Sequence, residues 1–168
     1  MRAVSLVRML LGSLLAWAAL SGAARAAAPP APLTAEQRKE LEAKAKALFQ
    51  EGEQAYQQNR LGEAVKAFTE CLAIYRRLHK GDHPDVARSL NNLGFLLQHQ
   101  GKAAEAEPYW RAALAMRQRL FKGDHPDVAL SLNNLGALLQ AQGKAAEAEP
   151  YYRAGLAMSQ RLFKGDHP

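Results

Sequence analysis

The sequence predicts an all-α solenoid of antiparallel helix pairs, and three observations carry that prediction. Gly-Asp-His-Pro begins at Gly81, Gly123 and Gly165, which marks a 42-residue period, and 36 of the 42 positions in residues 81–122 recur in 123–164. Residues 39–80 form a more divergent copy in the same register, with no gap. A fixed period of this length is the mark of stacked units, each too small to bury its own apolar face alone. Within a unit, Leu90, Leu93, Gly94 and Leu97 fall at i, i+3, i+4 and i+7, one face of a helix. Strand-like alternation is found nowhere along the chain.

The elements follow in order. Arg2 and Arg8 precede an apolar run, Met9 to Leu20, that is short for a membrane span, and Ala24-Arg25-Ala26 fits a signal-peptidase site. Residues 1–26 therefore read as a secretion signal, and the chain as exported, periplasmic or extracellular in a bacterium, with no stable membrane span after cleavage. Export accounts for much of the basicity. Losing Arg2, Arg8 and Arg25 lowers the net charge from +6 to +3, which argues only weakly for a nucleic-acid partner, and none is expected. Residues 27–33 are Ala- and Pro-rich and read as a tether.

Residues 34–164 divide into three repeats, 34–80, 81–122 and 123–164. Thr34 and Gln37 have capping-box spacing, so a helix should start at Ala35 and run to about Gln58. Pro84 and Pro126 suit the first position of a helix, with Asp85 and Asp127 in the first turn, where negative charge meets the positive end of the dipole. Gly101 and Gly143 should end these helices near Gln100 and Gln142. Second helices should span about 103–121 and 145–163, each carrying a proline, Pro108 or Pro150, that removes one backbone hydrogen bond. Gly94 lowers helix stability and so implies close approach of a neighbour. Cys71 is the only cysteine, and its counterparts are Ala113 and Gly155, so it reads as a small packing residue.

The unit resembles a tetratricopeptide repeat of the long, 42-residue kind found in kinesin light chains and many bacterial relatives. The likeness covers roughly residues 39–168. It rests on Leu90, Leu93, Gly94, Leu97, Ala106, Trp110 and Ala113, on their copies Leu132, Leu135, Gly136, Leu139, Ala148, Tyr152 and Gly155, and on Leu48, Gly52, Ala64, Phe68 and Cys71 in the first unit. The first unit departs at Glu51, where the others have Leu. The resemblance implies a right-handed superhelical solenoid whose first helices line a concave, peptide-holding groove.

The two near-identical units differ at six positions, and three of these lie on the first helix: Arg88/Leu130, Phe95/Ala137 and His99/Ala141. Their spacing puts them on one stripe nearly opposite Leu90 and Leu97. With the groove that the resemblance implies, they point to a ligand face of Arg88, Asn91, Phe95, Gln98 and His99, continued by Leu130, Asn133, Ala137 and Gln140. Asparagine amides would bind a ligand backbone, and Phe95 and Leu130 would give apolar contact. The same stripe would arise if solvent-facing positions simply drifted after duplication. Lys46, Arg88 and His99 tilt the face towards acidic ligands.

Asp82, His83 and Asp85 recur as Asp124, His125 and Asp127, but each group offers one imidazole and lies a whole repeat from the next, so no metal is expected. A phosphate-cradling loop, a nucleophile elbow and a paired-His helix are all missing from the sequence, so neither catalysis nor a cofactor is expected. The expected role is a scaffold or adaptor for a protein or peptide. Gly165 to Pro168 begin a fourth repeat, so truncation is the favoured reading of the C-terminal end. Without a capping helix, Tyr152, Leu156 and Phe163 would be uncovered and could drive self-association. A further alternative is the adaptor part of a larger enzyme. N-terminal sequencing of the chain recovered from a secreting bacterial host should read Ala27 first; an intact Met1 would mean that the segment is not cleaved.

Overall fold

A computed structural model describes residues 32–164. The secretion signal, most of the tether and the start of a fourth repeat lie outside the described residues. Among the described residues six helices follow one another: α1 (Ala35–Gln57), α2 (Leu61–Leu78), α3 (Pro84–His99), α4 (Ala103–Leu120), α5 (Pro126–Ala141) and α6 (Ala145–Leu162). No strand occurs among the described residues. Short turns fold α1 on α2, α3 on α4 and α5 on α6, and the pairs join through α2 against α3 and α4 against α5.

The helix starts follow local chemistry. Thr34 accepts from the Gln37 N–H at 3.1 Å while the Gln37 side chain accepts from the Thr34 N–H, a complete capping box. Pro84 and Pro126 occupy first positions. The cap itself is a residue that the sequence reading did not assign. His83 Nδ1 accepts from the Asp85 N–H at 3.2 Å, and His125 Nδ1 from the Asp127 N–H at 3.1 Å. At the other ends Gly101 and Gly143 take φ of 74° and 77°, and Asn59 takes 57° at the matching place in the first repeat. Asparagine tolerates this left-handed backbone better than most residues with a Cβ.

The core alternates small and large groups. On α2, Ala64, Ala67, Phe68, Cys71, Leu72, Tyr75 and Leu78 form one buried face. Cys71 is fully buried, its Sγ–H donates to the Ala45 carbonyl at 3.3 Å, and burial raises its pKa. Leu97, Trp110, Leu114, Val128, Leu132, Leu135, Leu138 and Leu139 continue the core from the second repeat into the third.

Each helix pair also contains one contact between a glycine and an aromatic ring. A Cβ on Gly94 would lie 3.1 Å from three ring atoms of Trp110, and one on Gly136 3.1 Å from Tyr152. Gly52 meets Phe68 more closely still, at 2.7 Å. These glycines let an aromatic side chain lie flat on the backbone of the partner helix.

The two ends of the array differ. On α1, Lys44, Glu51 and Gln54 stand where α3 has Val86, Leu93 and Leu96, and all three are exposed. Glu51 is thus accommodated because no described helix packs on that side. At the other end Leu156 is 60% and Phe163 53% exposed. Tyr152 corrects the sequence expectation: it is only partly exposed, because its ring turns back onto Gly136 and its hydroxyl donates to Gln140 Oε1 at 2.9 Å.

Gly94→Ala should cost about 1–3 kcal/mol through overpacking against Trp110. Gly62→Ala, with nothing within 4 Å of the added methyl, should gain about 0.5–1 kcal/mol. Urea unfolding of the two variants checks the contrast.

Candidate functional site

The first helices α3 and α5 carry the sequence-selected residues. Buried Leu90, Leu93 and Leu97 fix the orientation of α3, which leaves Arg88 and His99 exposed and Asn91, Phe95 and Gln98 half-buried. On α5, Leu130, Ala137 and Gln140 are exposed and Asn133 is half-buried. Leu130 is 50% exposed, unusual for a leucine on a helix whose other leucines are inside.

Several of these groups are already engaged. Arg88 donates to Asp85 Oδ1 at 3.0 Å, and its guanidinium lies 4.1 Å from the centroid of the Phe49 ring. Its charge is therefore largely compensated, which weakens the argument for an acidic ligand. Asn91 Oδ1 accepts from Arg117 at 3.2 Å. Arg117 is buried, and the same nitrogen also donates to Ser131 Oγ at 2.6 Å and to the Asp127 carbonyl at 3.3 Å. Burial lowers its pKa, with Asp127 opposing. Asn133 has Ser159 in place of that arginine, and its carboxamide fills the space left by Gly155. Asn91 and Asn133, alike in sequence, thus have different partners.

Between α1 and α3 the face opens into a cleft of about 350 Å³, lined by Glu53, Tyr56, Gln57, Phe68, Asn92, Phe95 and Leu96. Tyr56 meets Phe95 edge to face at a centroid distance of 5.3 Å, and His99 lies 4.3 Å from Phe95. The sequence reading found Phe95 and His99 but missed Glu53 and Tyr56. The signal was available, since Glu53 and Tyr56 stand one period before Phe95 and Gln98, but comparison of the near-identical copies left out the divergent first repeat.

The connector groups are organised for packing. Asp82 forms a bidentate pair with Arg119 at 2.6 and 2.7 Å, and Asp124 pairs identically with Arg161. Each arginine holds its aspartate below the usual carboxylate pKa. The sequence reading gave each connector a single imidazole, whereas the fold brings His79 onto His83, with ring centroids 3.3 Å apart and planes within 6°. Ligand atoms of His79, His83 and Asp85 lie within 4.8 Å of one another. However, His83 Nδ1 is engaged as the helix cap, and Phe121 stacks on His125 in the same manner at 3.6 Å. Stacking therefore needs only a flat ring at this place.

Two segments, residues 44–96 and 85–161, match the tetratricopeptide repeat family model. The chain belongs to the tetratricopeptide repeat family. These repeats are generally protein- or peptide-binding modules and non-catalytic scaffolds. Kinesin-light-chain-like proteins are among the structural neighbours. BtubC (BKLC) from P. vanneervenii is 27% identical with a TM-score of 0.67, over 74% of this chain and 49% of its own. A candidate kinesin light chain of Podosopora anserina with nearly identical repeats is 21% identical with a TM-score of 0.64, over 78% and 60%. The repeat domain of Arabidopsis FLU is 21% identical with a TM-score of 0.59, over 74% and 98%. The chain thus spans about half to three fifths of the first two neighbours. No curated protein sequence matches it. No helix among the described residues is long and apolar enough to cross a membrane.

The His79 stack predicts a pH dependence. Burial, followed by the facing His83 and Arg38, lowers the His79 pKa from its ordinary 6.5, against the opposing Asp85 and Glu42. Below that value the unfolded chain binds the proton more readily, so stability should fall as pH drops through about 6.5 towards the depressed folded value. His79→Phe, which copies Phe121, should remove this component. Urea midpoints measured from about pH 7.5 to 5 check it, and an unchanged slope would exclude His79 as the source.

Proposed function

We propose that the chain is an exported, non-catalytic scaffold that holds a protein or peptide segment along the face formed by α1, α3 and α5. The observation that carries this reading is Leu130, half-exposed at the place that Arg88 holds one repeat earlier, on a helix that otherwise buries its leucines. An apolar anchor on a face that also carries the amides of Gln98, Gln140 and Asn133 suits an extended backbone with alternating side chains. The N-terminal sequence pattern supports export.

A second reading uses the other end. Leu156 and Phe163 are exposed, whereas their counterparts Leu114 and Phe121 are covered or half-covered in the second repeat, next to α5. A self-assembly module would use this face.

Arg88→Ala combined with Phe95→Ala should abolish capture of a peptide ligand while helicity by circular dichroism is retained. Leu130→Glu, at an exposed site, should weaken capture by about tenfold or more without touching the core. Unchanged capture in both variants would refute the assignment of the face. In sedimentation, a monomer at tens of micromolar would exclude the second reading, and a dimer abolished by Phe163→Glu would support it.

A further inference from the structure

The cleft between α1 and α3 has the chemistry to hold a positive charge. Its floor is apolar, since Phe68 and Leu96 are both buried, and Tyr56 and Phe95 form its walls. Glu53, Gln57 and Asn92 supply polar atoms around it. Glu53 is exposed and forms no ion pair among the described residues. Aromatic faces carry negative potential, and a carboxylate beside them adds a full charge.

The protein fills this combination of groups twice elsewhere. Arg88 lies over Phe49 and pairs with Asp85, and Arg111 lies 5.9 Å from the Tyr151 centroid and pairs with Glu107. In both places an aromatic ring and a carboxylate share one guanidinium. Tyr56, Phe95 and Glu53 repeat the ring and the carboxylate without a guanidinium, and His99 packs against both rings.

We propose that this cleft receives an arginine or lysine side chain of the bound peptide. The assignment rests on the groove reading above and names the ligand chemistry of its first joint. The methylene stem would lie on Phe68 and Leu96 and the charged head against the rings and Glu53. An acidic side chain would face Glu53 across apolar walls, and an aliphatic one would desolvate that carboxylate without pairing it. The recognition is confined to one joint. One period on, Phe95 replaces Glu53, Gln98 replaces Tyr56 and Ala137 replaces Phe95, so the second joint lacks both the acid and the aromatic pair. The ligand's basic residue would therefore fix the register of the peptide along the face.

The test selects a displayed library of random peptides on the full chain and measures the winners by fluorescence anisotropy. The expected winners share a basic residue. Its replacement by Gln weakens binding about tenfold, and Glu53→Gln weakens the parent peptide equally but leaves the Gln peptide unaffected. Glu53→Lys should turn the preference towards acidic peptides. Glu53 is exposed, so these variants should keep their melting profiles. Peptides whose binding is lost in Leu130→Glu, but which show no basic preference or ignore Glu53→Gln, would overturn this assignment and leave the groove standing. A selection that yields no binder would overturn both.

Discussion

A glycine facing an aromatic ring sits at the centre of each helix pair, and the spacing of the array depends on it. Glycine inside a helix costs about 1 kcal/mol relative to alanine. Burying an aromatic side chain of about 150–250 Å² at about 25 cal/mol per Å² returns several times that amount. The ring therefore wins, and Gly52, Gly94 and Gly136 are kept where Phe68, Trp110 and Tyr152 lie against them. The ring can change from Phe to Trp to Tyr because only its flat face is used. Its edge is less constrained: Trp110 Nε1 has no hydrogen-bond partner among the described residues, while the Tyr152 hydroxyl reaches Gln140.

With that distance set, the second helix of one pair meets the first helix of the next, and this joint varies. Position 75 is Tyr in the first repeat, and the same place holds Arg117 in the second and Ser159 in the third. Arg117 is buried against neutral oxygen atoms, which offset part of its desolvation and tie α4 to both α3 and α5. Its three contacts fix Asn91 in one setting, whereas Asn133 settles into the gap above Gly155. A change on a second helix is thereby transmitted to the exposed face of a first helix, and near-identical repeats acquire unlike surfaces.

The connectors add rigidity by a separate route. A histidine that caps the following helix also stacks on a flat ring at the end of the preceding one, and a bidentate arginine holds the neighbouring aspartate. Asp82, His83, Asp124 and His125, which resemble ligands on paper, thus each have a packing partner in the fold. The cleft beside Tyr56 differs, because its carboxylate, Glu53, has no ion-pair partner among the described residues.

The sequence by itself determined the architecture: the period fixed the number of repeats, the prolines and the left-handed glycines fixed the helix ends, and the leucine spacing fixed the buried face. It also located Arg88, Phe95 and His99 on one stripe. These features were legible because each depends on residues close together in the chain. The tertiary structure alone decided which of those residues are free. Arg88 is paired with Asp85 and lies over Phe49, Asn91 is held by Arg117, His79 joins His83, and Glu53 and Tyr56 line the cleft from the divergent first repeat. Most of those outcomes depend on groups brought together from different helices, Asn91 and Arg117 within one repeat and Arg88 and Phe49 from successive ones. Such pairings are set by packing distance between helices, which no period in the sequence records.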